Sequence, residues 1–124
     1  MNALRPLRAQ VEARLTSEID LSGLQRYVGA DRELITQLLH DLAVTNRDDR
    51  EFLLLEHASG NHHGLQALAH RIKGGALMVR ALTLVEGCQQ LERACGEGND
   101  ALIDAAVDQL QQTMTRLVRS LEQG

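Results

Sequence analysis

Apolar residues recur at helical spacing in four long blocks, with turn signals between the blocks, and that pattern leaves few folds open. Asp31 has the type of an N-cap, and after it Leu34, Ile35, Leu38, Leu39 and Leu42 share a face. The block runs on through Arg47-Asp48-Asp49-Arg50 to Phe52, Leu53 and Leu55, and Gly60 stops it. The second block starts near Asn61 and reaches about Arg80. Its stripe is Leu65, Leu68, Ala69, Ile72, Gly75, Ala76 and Val79. Thr83-Leu84-Val85-Glu86 fits a capping box and opens a third block, which turns Leu84, Val85, Cys88, Leu91 and Cys95 inward until Gly96 and Gly98 close it. The fourth starts near Asn99 or Asp100 and repeats Ile103, Val107, Leu110, Met114, Leu117 and Leu121. Four amphipathic helices with short connections predict an all-α fold, an antiparallel up-down four-helix bundle.

Ahead of the bundle, Leu4, Leu7, Val11 and Leu15 make a further stripe over residues 3–16, and a short helical turn is expected from Ser22 to Val28. The expected division is a linker or added N-terminal helix over 1–18 and the bundle over 19–124. Composition agrees: aromatics are 2% and Pro6 is the single proline, which argues against a sandwich or barrel. Net charge is −4 and no Lys/Arg block occurs, so nucleic acid is not an expected partner. No apolar run approaches the ~20 residues of a membrane span, so no direct membrane contact is expected. Cys88 and Cys95 are seven residues apart, which is ~10 Å along a helix and too far for a disulfide. Two unpaired thiols fit a reducing, cytoplasmic setting.

The face of the second helix opposite its apolar stripe carries His63, Gln66, Ala67, His70, Gly74, Leu77 and Met78, with Arg71 and Lys73 flanking it. Gly74 and Gly75 stand together in mid-helix, where each costs about 1 kcal/mol against Ala. Gly75, on the stripe, is read as close helix packing. Gly74, on the outside, makes sense where something else must approach the backbone. Leu77 and Met78 add exposed apolar surface beside it. His70 and Lys73 are three apart and therefore neighbours. An exposed imidazole beside an ammonium suits nucleophilic attack that ends in an anionic adduct, such as a phosphoryl group.

Ala69-His70-Arg71-Ile72-Lys73-Gly74-Gly75-Ala76 resembles the signature of histidine phosphotransfer (HPt) domains, with a Lys three after the His and a Gly four after it. Ala81, Leu84, Cys88, Leu91 and Glu92 also fall where such sequences place small residues, Leu and a Leu-Glu pair. The likeness spans roughly residues 20–122, and is greatest to the HPt domains at the C-terminal end of hybrid sensor kinases. It implies that His70 is the phosphoacceptor, Lys73 its charge partner and Gly74 the clearance residue. Glu92 is a candidate to orient the His70 ring. His63, Gln66, Ala67, Arg71, Gly75, Leu77 and Met78 would form the docking surface. The implied partners are the receiver domains of a hybrid sensor kinase and of a response regulator. The domain itself would need no cofactor and have no ATP-dependent kinase activity, with Mg²⁺ held by the receiver. The implied location is cytoplasmic, including as the C-terminal domain of a membrane-bound kinase. One departure stands out: Arg80 occupies the position, ten after the His, where the family usually has Gly.

Other residues have plainer readings. His62 and His63 lack a partner at the helical offsets of a metal pair, and no metal site is expected. His40 and His57 are read as surface or seam residues. The 47–50 charges are read as a solvated stretch. A non-catalytic helical adaptor or dimerisation module could use the same exposed face and would not need the imidazole.

Overall fold

The computed structural model describes residues 31–123, and the stripe over 3–16, the turn over 22–28 and the division at residue 18 lie outside them. Four helices follow one another: α1 (Arg32–Ala58), α2 (His62–Met78), α3 (Leu82–Glu97) and α4 (Asp100–Gln123). The Asp31 carboxylate accepts from the backbone N–H of Glu33 and Leu34 at 3.0 and 3.2 Å and starts α1. Asn61 does the same for α2 by accepting from Gly64, and Asn99 for α4 by accepting from Leu102.

The second connection differs from expectation. α2 ends at Met78, and Arg80 turns the chain with a left-handed φ of 54°. Arg80 N–H donates to Leu77 C=O and Ala81 N–H to Ala76 C=O, the paired bonds of a Schellman stop. Ala76 and Ala81 are both buried at this turn. The backbone thus asks for the glycine that the HPt pattern has here, and Arg bears a cost of about 1–2 kcal/mol for the left-handed conformation. Because Ala81 is buried and the chain re-enters a helix at once, α3 begins at Leu82. Its N-cap is Ala81, which makes no side-chain cap bond, so the expected capping box of Thr83 and Glu86 does not form.

The helices close a ring in chain order, with α1 returning against α4. His57 meets Asp104, Arg50 donates to Thr115, and Arg47 pairs with Glu122. As the α1 number falls the α4 number rises, so these two helices run antiparallel. The core inside is aliphatic: Leu53, Leu65, Leu91, Ile103, Leu110 and Met114 are among its fully enclosed side chains. The predicted α4 stripe is buried throughout. Leu34, Phe52 and Leu55 of α1, by contrast, are exposed.

Two readings of the sequence are corrected here. Gly75 is exposed, and a Cβ added there would meet nothing within 4 Å, so it is not a packing glycine. Gly87 is: a Cβ there would lie 3.2 Å from Leu110 Cδ1, which brings α3 close to α4. The 47–50 stretch is also not simply solvated, because Asp49 is buried at the α1–α2 seam.

Candidate functional site

Helical phase and the α2–α3 seam together assemble a three-residue cluster. Lys73 and His70 sit one turn apart on α2, and Glu92 faces them from α3. Lys73 Nζ lies 2.8 Å from Glu92 Oε1, with both side chains only 21% exposed. The pair is an ionic contact whose angles fall outside those of a hydrogen bond. The other carboxylate oxygen, Oε2, stands 3.5 Å from His70 Nδ1. The imidazole itself is 75% exposed. Glu92 therefore anchors the ammonium firmly and touches the ring loosely.

That arrangement has an electrostatic consequence for the ring. A carboxylate beside Nδ1 favours the tautomer with the proton on Nδ1. Nε2 then carries the lone pair, and among the described residues it has no protein partner. A neutral imidazole held this way can attack an electrophile through Nε2. A positive charge gained by the ring on forming such an adduct would fall next to Glu92. Lys73, one turn along, is near enough to serve negative charge on the adduct.

Beneath the cluster the bundle is packed and apolar. Cys88, one turn before Glu92 in α3, is fully buried. Its thiol is pushed up to about 12, first by burial and then by the negative charge of Glu92, with Lys73 opposing. Burial also raises the half-buried Cys95. Both thiols are free. His70 therefore stands on a packed, apolar base.

Around His70, the residues His63, Gln66, Ala67, Gly74, Leu77 and Met78 are all exposed, so the outward face read from helical phase exists as a surface. A Cβ at Gly74 would meet nothing within 4 Å. Nothing among the described residues explains a glycine at that position. Gly64, near the start of the same helix, is the opposite case: a Cβ there would run into the carboxylate of Glu56 and the capping side chain of Asn61.

Two flanking residues sit differently from the rest. Arg71 Nη2 donates to Asp49 Oδ1 at 2.5 Å, which fastens α2 to α1. Gly75 borders a groove of about 260 Å³ between α1, α2 and α4, where Leu42, Asn46 and Ile72 are further walls. Asp49 was missed as a participant. It continues the inward run Leu39, Ala43, Asn46, Leu53 at helical spacing, a phase that its charged neighbours disguised. His57 and His62 are tied instead to α4, by Asp104 at 2.7 Å and Asp100 at 3.4 Å. Among the described residues, no helix is long and apolar enough to cross a membrane.

The family model of the Hpt domain matches residues 3–120. No curated protein and no solved structure matches the chain significantly.

Proposed function

Since the chain belongs to the Hpt domain family, whose members carry out histidine phosphotransfer in two-component signalling and interact with receiver domains, we propose that His70 is its phosphoacceptor. In this reading His70 takes a phosphoryl group from an aspartyl-phosphate of one receiver domain, as in a hybrid sensor kinase. It then passes the group to the Asp of a response regulator. The observation that carries the reading is the exposed imidazole with Nδ1 turned to Glu92 and open space over Gly74.

The step balances simply. The Nε2 lone pair forms the N–P bond while the P–O bond to the aspartyl carbonyl group breaks, leaving a carboxylate on the receiver. No proton need leave the ring, because Nδ1–H stays in place beside Glu92. The ring becomes cationic and the phosphoryl oxygens anionic, and Lys73 and Glu92 face charges of opposite sign. Mg²⁺ in the receiver's acidic pocket supplies charge neutralisation on the phosphoryl group, and catalysis is otherwise positioning. Return of the phosphoryl group to an Asp is the same path reversed. Neither step calls for ATP or for a cofactor held by this chain.

The test is incubation with receiver domains already phosphorylated by acetyl phosphate. Acid-labile, base-stable phosphate should appear on the wild type and be absent from His70→Gln. Equal labelling of both proteins would end the proposal. A non-catalytic adaptor would bind its partner equally well with either residue and carry no phosphate.

A further inference from the structure

The one phenylalanine of the chain, Phe52, is 52% exposed in the last third of α1, with Leu55 one turn further on at 65%. Neither serves the core, which takes Leu53 between them. A half-exposed aromatic ring and a neighbouring leucine form the kind of patch that a partner covers.

The seam contacts fix where this patch lies. Asp49 bonds to Arg71, and the Glu56 carboxylate sits against Gly64. Phe52 is three residues after Asp49 and four before Glu56, so it shares their edge of α1, the edge that meets α2. On α2 the position between those same two contacts, three after Gly64 and four before Arg71, is Ala67. Phe52 and Ala67 are therefore level across the α1–α2 seam. Ala67 is small and exposed and stands one turn from His70 on the same face. Packed helices are about 8–10 Å apart and one turn is about 5 Å, which puts Phe52 roughly 10 Å from His70.

From this placement we propose that Phe52 is an apolar anchor for the receiver domain that exchanges phosphate with His70. The inference rests on the function proposed above, and it says which side of His70 the receiver leans on. A protein interface of ordinary size covers about 800 Å² per partner, a disc of roughly 16 Å radius, so a receiver centred on His70 must cover Phe52. The other flank differs level with His70, because its exposed leucine, Leu82, lies ten residues from Glu92, about 15 Å along α3 towards the Arg80 turn. Level with the imidazole, α3 presents the exposed Gln89 and the Glu92 held by Lys73. Aromatic residues surrounded by small and polar ones are where binding energy concentrates. Ala67 beside it, with Gly74 beyond, leaves a shallow surface on which a partner can reach both Phe52 and the imidazole.

The test compares Phe52→Ala, Phe52→Leu and, as a distant control, Leu102→Ala, an exposed leucine on α4. Two phosphoryl donors are used: a phosphorylated receiver domain, and phosphoramidate, which needs no docking. With the receiver, Phe52→Ala should lower kcat/KM at least tenfold, mainly through KM, Phe52→Leu should recover most of it, and Leu102→Ala should match the wild type. With phosphoramidate all four proteins should label His70 at one rate. Equal receiver kinetics for Phe52→Ala and wild type would overturn the anchor while leaving His70 as the acceptor. Loss of labelling with both donors in every protein would instead overturn the function itself, and the anchor with it. A dimer that Phe52→Ala dissociates, or a large fall in its melting temperature, would assign the ring to a second copy or to residues 1–30 and would equally overturn the anchor.

Discussion

Replacing Gly74 by alanine should make the protein more stable and a worse phosphotransfer partner at once. Glycine in a helix interior costs about 1 kcal/mol relative to alanine, because its backbone loses more freedom on folding. The new methyl would meet nothing within 4 Å, so no clash offsets that gain. For a chain of this size 1 kcal/mol corresponds to roughly 4 °C in melting temperature. The same methyl stands one turn from His70, on the surface a receiver must reach. Forcing one methyl into a close interface costs about 1–3 kcal/mol, which is a fall in kcat/KM of roughly 5- to 150-fold. Urea unfolding gives the first quantity and receiver-dependent labelling of His70 the second. Gly64→Ala is the internal contrast: its methyl collides with Glu56 and the Asn61 cap, and losing a cap costs about 1 kcal/mol, so it should gain no stability. A Gly74→Ala protein that is stabilised yet transfers phosphate at the wild-type rate would refute the idea that this glycine exists for a partner's approach.

Other outcomes follow from the same structure. Glu92→Ala should free Lys73 and move neutral His70 away from the Nδ1–H tautomer, visible in long-range ¹H–¹⁵N spectra, and slow labelling of His70. Cys88 stays protonated in the folded protein to about pH 12, whereas the unfolded thiol ionises from about 9. Its contribution is thus fully present below about pH 9 and is lost as pH rises further, at up to about 1.4 kcal/mol per pH unit; unfolding at pH 8 and 10 should differ by about 1.4 kcal/mol in all through this thiol, and Cys88→Ala should lack that difference. Arg80→Gly should exceed Arg80→Ala in stability by about 1 kcal/mol in urea unfolding, because only glycine relieves the left-handed φ. Asp49→Ala should cost about 1–3 kcal/mol in the same assay. Arg71 can turn to water, which keeps the loss below that of a fully enclosed pair.

The boundary between what was legible and what was not follows a physical line. Asp31, Asn61, Gly60 and Gly98 act within a few residues of themselves, so the starts and stops they mark were readable along the chain. The turn at Arg80 was not, because an arginine gives no local sign of a left-handed backbone. The burial of Ala76 and Ala81 and the backbone bonds across the turn set it there and move the start of α3 ahead of Thr83.

Helical periodicity alone sufficed for the class of fold and for the outward face of α2, because both depend on residues a turn apart in one helix. The pairing of Glu92 with Lys73 and of Asp49 with Arg71 depends on how two helices are set against each other. So does the exchange of roles between Gly75, which packs against nothing, and Gly87, which lets α3 approach α4. A stripe says which way a residue points from its own axis. How near the next axis comes, and which residue stands level with it, is decided only when the bundle closes.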